Sequence, residues 1–193
     1  ASDSDLEDYR AKAEIFLGWV QIETETDVQS GLAMVNRGFQ TLREIGTPED
    51  FPVYQCIRSV AMRRLGRVDD ALNALYDGRA VIDDEGVNYW GAEIARNEAE
   101  AELLRPKPLV DFMNNRLREA CDLAKAQGAL ALELRTAMTG LRWSGQRGSG
   151  QAGSGSGGDE TWGRENLRSV VNRFDASAKG RDLDDARQML AMP

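Results

Sequence analysis

Three glycines punctuate this chain at nearly even intervals: Gly46, Gly86 and Gly128, 40 and 42 residues apart, each where an amphipathic stretch stops. Glycine takes a left-handed backbone without steric penalty, so it ends a helix cleanly. The stretch from Leu109 to Trp143 is the clearest case. Phe112, Met113, Leu117, Ala120, Cys121 and Ala124 fall mostly at three- and four-residue steps and make one apolar stripe. Past Gly128, Ala129, Leu130, Leu132, Leu134, Ala137, Met138 and Leu141 begin a second helix. One helical hairpin per near-fixed period predicts an all-α fold of the α-solenoid kind, each unit burying its apolar face against its neighbours. The alternative is an irregular helical bundle with accidental spacing. Gly18, Ser59, Ala99 and Ala137 lie inside the first helix of each pair, and their small side chains mark where two helices are expected to approach closely.

The rest of the chain reads in the same units. Asp5 to Glu25 is predicted helical, with Tyr9, Ala13, Phe16, Leu17 and Val20 at helical spacing and Ser4 as N-cap. Val28 to Ile45 is the next helix, burying Leu32, Val35, Phe39 and Leu42. Phe51 to Leu65 follows, then a tight turn at Leu65-Gly66-Arg67 and a helix from Val68 to Asp84, with Asp69 and Asp70 near its positive N-terminal end. Tyr89 to Leu104 is closed by Pro106 and Pro108. Ser144 to Gly158 has no large apolar residue and is expected to be flexible, whether a natural insertion or an engineered linker. It is no phosphate loop, because no Gly-Lys-Ser or Gly-Lys-Thr follows it. Arg164 to Phe174 and Leu183 to Met192 are two short helices that would cap the array. The expected organisation is therefore an array over residues 1–143, a Gly/Ser-rich loop over 144–161 and closing helices over 162–193.

Composition narrows the chemistry. A formal charge of −8 repels a phosphate backbone, so no nucleic-acid partner is expected. Histidine is absent, which removes the commonest general base and the commonest transition-metal ligand. The two cysteines, Cys56 and Cys121, sit in apolar stripes far apart in sequence and suit reduced, packed thiols in a cytoplasmic protein. The absence of about 18 consecutive apolar residues argues against a membrane partner. The acidic start is unlike a signal peptide, and a first residue other than Met suggests a processed chain or an excised piece.

Several short segments support a family comparison: Leu17-Gly18-Trp19 with Ser30-Gly31-Leu32, Leu65-Gly66-Arg67 before Ala71-Leu72, and Ala92-Glu93-Ile94 with Arg96. To these are added Gln127, Ala129, Leu132-Glu133-Leu134-Arg135 and Leu141-Arg142-Trp143, and the closing Asp182-Leu183-Asp184-Asp185-Ala186-Arg187 with Leu190. With these the chain resembles the C-terminal tetratricopeptide-like region behind the ATPase module of bacterial multidomain regulators, including predicted ATPases and class III adenylate cyclases. The resemblance implies an α-solenoid of about four TPR-like helix pairs with a C-terminal capping pair, in a protein whose chemistry belongs to other domains. Glu98-Ala99-Glu100-Ala101-Glu102 departs from the family pattern, which has a glycine followed by leucines there, and the loop after Trp143 is longer than the pattern.

The first functional expectation is an interaction or regulatory module, its concave groove lined by Lys12, Trp19, Arg63, Glu93, Arg96 and Glu100 and holding a protein, a peptide or a neighbouring domain. The plain alternative for each is a solvated helix face, and Arg96 with Glu93 and Glu100 has the spacing of helical ion pairs worth about 0.2–0.5 kcal/mol each. Trp19, Trp90, Trp143 and Trp162 are either anchors for a partner or packing residues. An enzyme would need a carboxylate pair such as Glu98 and Glu102, and nothing beside them suggests a shifted pKa. A third expectation is a small-molecule sensor whose array changes curvature on binding. No cofactor or metal is expected, and the oligomeric state is open.

Overall fold

The computed structural model describes residues 3–46, 50–86, 88–148 and 158–192, with the side chains of 3–5, 85, 145–148 and 158–162 outside the description. Among the described residues the chain is all-α, without strand. Its helices are α1 (Asp3–Glu23), α2 (Val28–Ile45), α3 (Phe51–Arg64), α4 (Val68–Glu85), α5 (Gly91–Glu102), α6 (Val110–Ala126), α7 (Leu130–Gly148), α8 (Gly158–Val171) and α9 (Arg181–Ala191).

Local chemistry sets the ends. Gly46, Gly86 and Gly128 all have positive φ, at 84°, 68° and 64°, and the first two N–H groups bond back to the carbonyls of Leu42 and Ile82. Asp27 caps α2 by accepting from the Ser30 N–H at 2.9 Å. Asp69 and Asp70 occupy the first turn of α4. Helix α1 begins at Asp3, so Ser4 lies within its first turn and not at the cap position expected for it.

Packing divides the chain into two compact units, Ala1–Val110 and Asp111–Pro193. In the first, α1 packs along α2, and α3 packs against α1, α2, α4 and α5. Its core includes Ile15, Ile22, Leu32, Val35, Leu42, Tyr54, Leu75 and Ile94. Burial of each such large side chain is worth roughly 1.5–3 kcal/mol relative to exposure. The α1/α2 contact is unusually close: a Cβ added at Gly18 would stand 2.6 Å from the Gly31 carbonyl oxygen, and one added at Gly38 would stand 2.5 Å from that of Ala11. Close approach at Gly18 is what the small-residue pattern predicts.

The residues whose spacing marks α1 in the sequence are not the ones that pack. Ala11, Ile15 and Ile22, with Gly18 among them, face the core, while Leu6, Tyr9, Phe16, Leu17 and Val20 are between 49% and 71% exposed. The glycine decides the face: only the side without a Cβ at position 18 can come within backbone contact of α2.

In the second unit α7 packs against α8 and α9, and α8 against α9, around Leu134, Met138, Leu167, Val170 and Leu183. Helix α6 buries Met113, Leu117, Ala120, Cys121 and Ala124, as its stripe predicts. Helix α7 runs on into the Gly/Ser-rich stretch. Its last well-anchored turn is held by the Ser144 hydroxyl donating to the Leu141 carbonyl (2.9 Å) and by the Trp143 indole N–H donating to Asn114 Oδ1 (3.3 Å). The stretch expected to be loop is thus helical at both ends, and residues 149–157 lie outside the described residues.

Candidate functional site

Helix α5 is almost wholly buried and yet carries four glutamates, Glu93, Glu98, Glu100 and Glu102. Alanines at 92, 95, 99 and 101 give it little girth, so neighbouring helices come near enough for arginines to reach the carboxylates. Every one of the four has an arginine. Glu98, with no solvent exposure, is gripped from α4 by Arg79 through Nε (3.0 Å) and Nη2 (2.7 Å). Glu102 pairs with Arg105 (3.0 Å) and accepts from the Leu109 N–H (2.9 Å), which fixes the chain as it leaves the helix. Buried carboxylates are tolerable only when paired in this way.

The other two belong to a network that joins α3 to α5. Arg63 donates from Nη1 to Glu100 Oε2 (2.6 Å) and from Nη2 to Asn97 Oδ1 (2.8 Å). Arg96 donates to Glu100 Oε1 (2.6 Å) and holds Glu93 through Nε (3.0 Å) and Nη2. Asn97 Nδ2 returns a bond to the Glu93 carbonyl at 2.9 Å. The side chains of Arg63, Glu93, Arg96 and Glu100 are only 11–16% exposed. Burial works against the Arg96 charge, but Glu100 and Glu93 outweigh it and hold the guanidinium above its ordinary value. Beside them the Cys56 thiol is pushed up by its own burial and by Glu93. Ser59 Oγ and Arg63 Nε, one turn apart on α3, are buried with no hydrogen-bond partner among the described residues.

Of the six residues expected to line a groove, the structure therefore unites Arg63, Glu93, Arg96 and Glu100, and joins them to each other. Lys12 and Trp19 do not share that network. Lys12 pairs with Asp8 on its own helix at 2.9 Å, a bond that raises its pKa. Trp19 is 41% exposed, with the Phe16 ring edge-on at 6.4 Å. Trp143 is buried, Trp90 half-buried, and the side chain of Trp162 lies outside the described residues.

Asn97, Arg79 and the core-facing side of α1 escaped the sequence reading, which marked α1 by the residues that prove exposed. Nothing in the order of residues links Arg79 to Glu98. The second apolar face of α1 did leave a signal, since Ala11, Ile15, Gly18 and Ile22 also stand at helical steps.

Glu98 and Glu102, the carboxylate pair considered for catalysis, are each occupied by a different arginine and by structure-holding bonds. Among the described residues there is no group of three or more His, Cys, Asp or Glu side chains placed to hold a metal ion, and no helix long and apolar enough to cross a membrane. No protein-family profile matches the chain, and no solved structure does. An uncharacterized protein of Rhizobium meliloti (strain 1021) is 31% identical over 123 residues, which is 63% of this chain and 12% of that protein. The chain thus corresponds to a small fraction of the length of this relative.

Proposed function

We propose that the chain is a non-catalytic scaffold, a tetratricopeptide-like helical-repeat module of a larger cytoplasmic signalling protein, acting through contact with another protein surface. One observation carries this reading: Leu6, Tyr9, Phe16, Leu17, Trp19 and Val20 of α1 stand in solvent, while the charged groups suited to chemistry are spent on one another. A continuous apolar stripe of this kind on a folded protein marks an interaction surface. The packing of α3 against both α1 and α5, beside the hairpins α1/α2 and α3/α4, supports a solenoid-like stacking. In that stacking Arg63, Glu93, Arg96 and Glu100 brace successive helices, and the binding role passes to α1.

A photo-cross-linking amino acid at Leu17, compared with one at the exposed Asp83 of α4, tests the reading in the native host. A discrete adduct at position 17 that disappears when Phe16→Glu is added supports it. Adducts no stronger at 17 than at 83 would sink it. A small-molecule sensor is the second reading, favoured by the unpartnered Ser59 Oγ and Arg63 Nε. A metabolite that raises the melting temperature of the wild type but not of Ser59→Ala would decide for it.

A further inference from the structure

The geometry points to a second copy of this chain as the occupant of the outward face of α1, the two helices pairing antiparallel about a two-fold axis at Ala13. This rests on the scaffold reading and names its partner. Leu6 and Val20 lie seven residues to either side of Ala13, and Tyr9 and Leu17 lie four residues to either side. Four and seven are the steps that bring a helix back to the same face. The central row of the stripe therefore reads alike in both directions, two large apolar positions, one small centre and two large apolar positions, with all four large residues exposed, while Phe16 and Trp19 flank it along one edge. An antiparallel copy sets Leu6 over Val20 and Tyr9 over Leu17, each twice, as an isologous contact requires. The two Ala13 residues meet at the centre, where their size lets the backbones draw together.

The rim of the stripe is complementary to itself in the same register. Arg10 and Glu14 stand along its Leu17 edge, and the two-fold brings Arg10 of one copy to within about 3 Å, along the axis, of Glu14 of the other. This contact also forms twice. Glu14 is already steadied by Arg37 at 2.8 Å and so presents its carboxylate in a fixed place. A parallel pair would instead set the Arg10 and Glu14 edge of each copy against the opposite edge of the other, where Phe16 and Lys12 stand, and would leave the Arg10–Glu14 contact unmade. A partner with a rim of one sign would meet a like charge at Arg10 or at Glu14. The stripe spans about 21 Å of helix, a small interface, so the dimer is expected to be weak and to dissociate on dilution.

Sedimentation equilibrium of the full chain is the first measurement, with Leu17→Glu as the disrupting variant and circular dichroism to show that it keeps its helicity. The wild type is expected to dimerise reversibly and Leu17→Glu to remain monomeric at the same concentrations. Register is read by disulfide formation under mild oxidation. Ala13→Cys is expected to cross-link to itself, Leu6→Cys mixed with Val20→Cys to form the heterologous dimer, and Asp83→Cys to form none; Cys56 and Cys121 are buried and do not compete. A wild type that stays monomeric, a dimer that survives Leu17→Glu, or an Ala13→Cys chain that fails to cross-link faster than Asp83→Cys would overturn the pairing. If the wild type is monomeric while the Leu17 photo-cross-link yields an adduct of a mass other than two chains, the scaffold reading stands and the self-pairing falls. If neither experiment yields a contact, both fall.

Discussion

Helices α1 and α5 belong to the same compact unit and invert the usual distribution of side chains. Helix α1 holds Leu6, Tyr9, Phe16, Leu17, Trp19 and Val20 in solvent, whereas α5 holds four glutamates away from it. The difference shows that hydropathy proposes a face and the neighbouring helix chooses it. For α1 the choice was made by close approach. Gly18 lets one face touch α2 backbone to backbone, and dispersion summed over the many atoms packed there outweighs burial of the bulkier side, which would hold the helices apart. For α5 it was made by partners: arginines on α3, on α4, within α5 and just beyond it answer each carboxylate, so the helix can be central without leaving a bare charge.

The sharpest way to break this comparison is to remove an arginine from α5's surroundings. Arg79→Ala takes from the fully buried Glu98 the guanidinium that grips both its oxygens, and is expected to cost about 3–5 kcal/mol in urea unfolding. Replacing both, Arg79→Met with Glu98→Leu, is expected to recover most of that loss, because the penalty lies in the orphaned charge and not in the absent pair. Equal losses in the single and double variants would mean that packing, and not charge, makes the site.

On α1 the corresponding experiment is Gly18→Val. Its Cβ would meet a backbone oxygen at 2.6 Å, which no rotamer can relieve, so the helices must part. A loss of about 1–3 kcal/mol in the same unfolding assay is expected. An unchanged stability would show that α1 can pack equally well at a greater separation.

A double-mutant cycle on Arg63→Met and Glu100→Gln measures how strongly α3 and α5 are tied. The expected coupling is about 1–3 kcal/mol, above the value for an exposed pair, because both side chains are largely buried. Additive losses would reduce the network to two independent surface contacts. The smallest effect is expected for Leu17→Glu, within about 0.5 kcal/mol of the wild type in stability, since the side chain is exposed. A large loss there would place Leu17 in the fold and remove it from the interaction surface.

Much of the backbone was legible from the order of residues. The stops at Gly46, Gly86 and Gly128, the core faces of α2 and α6 and the paired helices α8 and α9 all follow from rules that act within a turn or two of helix. The boundary of α7 was less so, because Ser144 and Trp143 are held by carbonyl and amide partners that spacing does not reveal. The candidate site was half legible. Arg96 with Glu93 and Glu100 could be read from three- and four-residue steps, and they pair as such. Arg63 reaching the same carboxylate from 37 residues away could not, nor could Arg79 reaching Glu98.

The sequence by itself determined where helices begin and end and that they are amphipathic, since capping, left-handed glycine and the 3.6-residue period are local properties of the chain. Only the tertiary structure decided which of two apolar faces α1 would bury and which carboxylates of α5 would be neutralised. Both depend on distances between helices remote in sequence, and steric contact and Coulomb attraction act on those distances whatever the order of the residues.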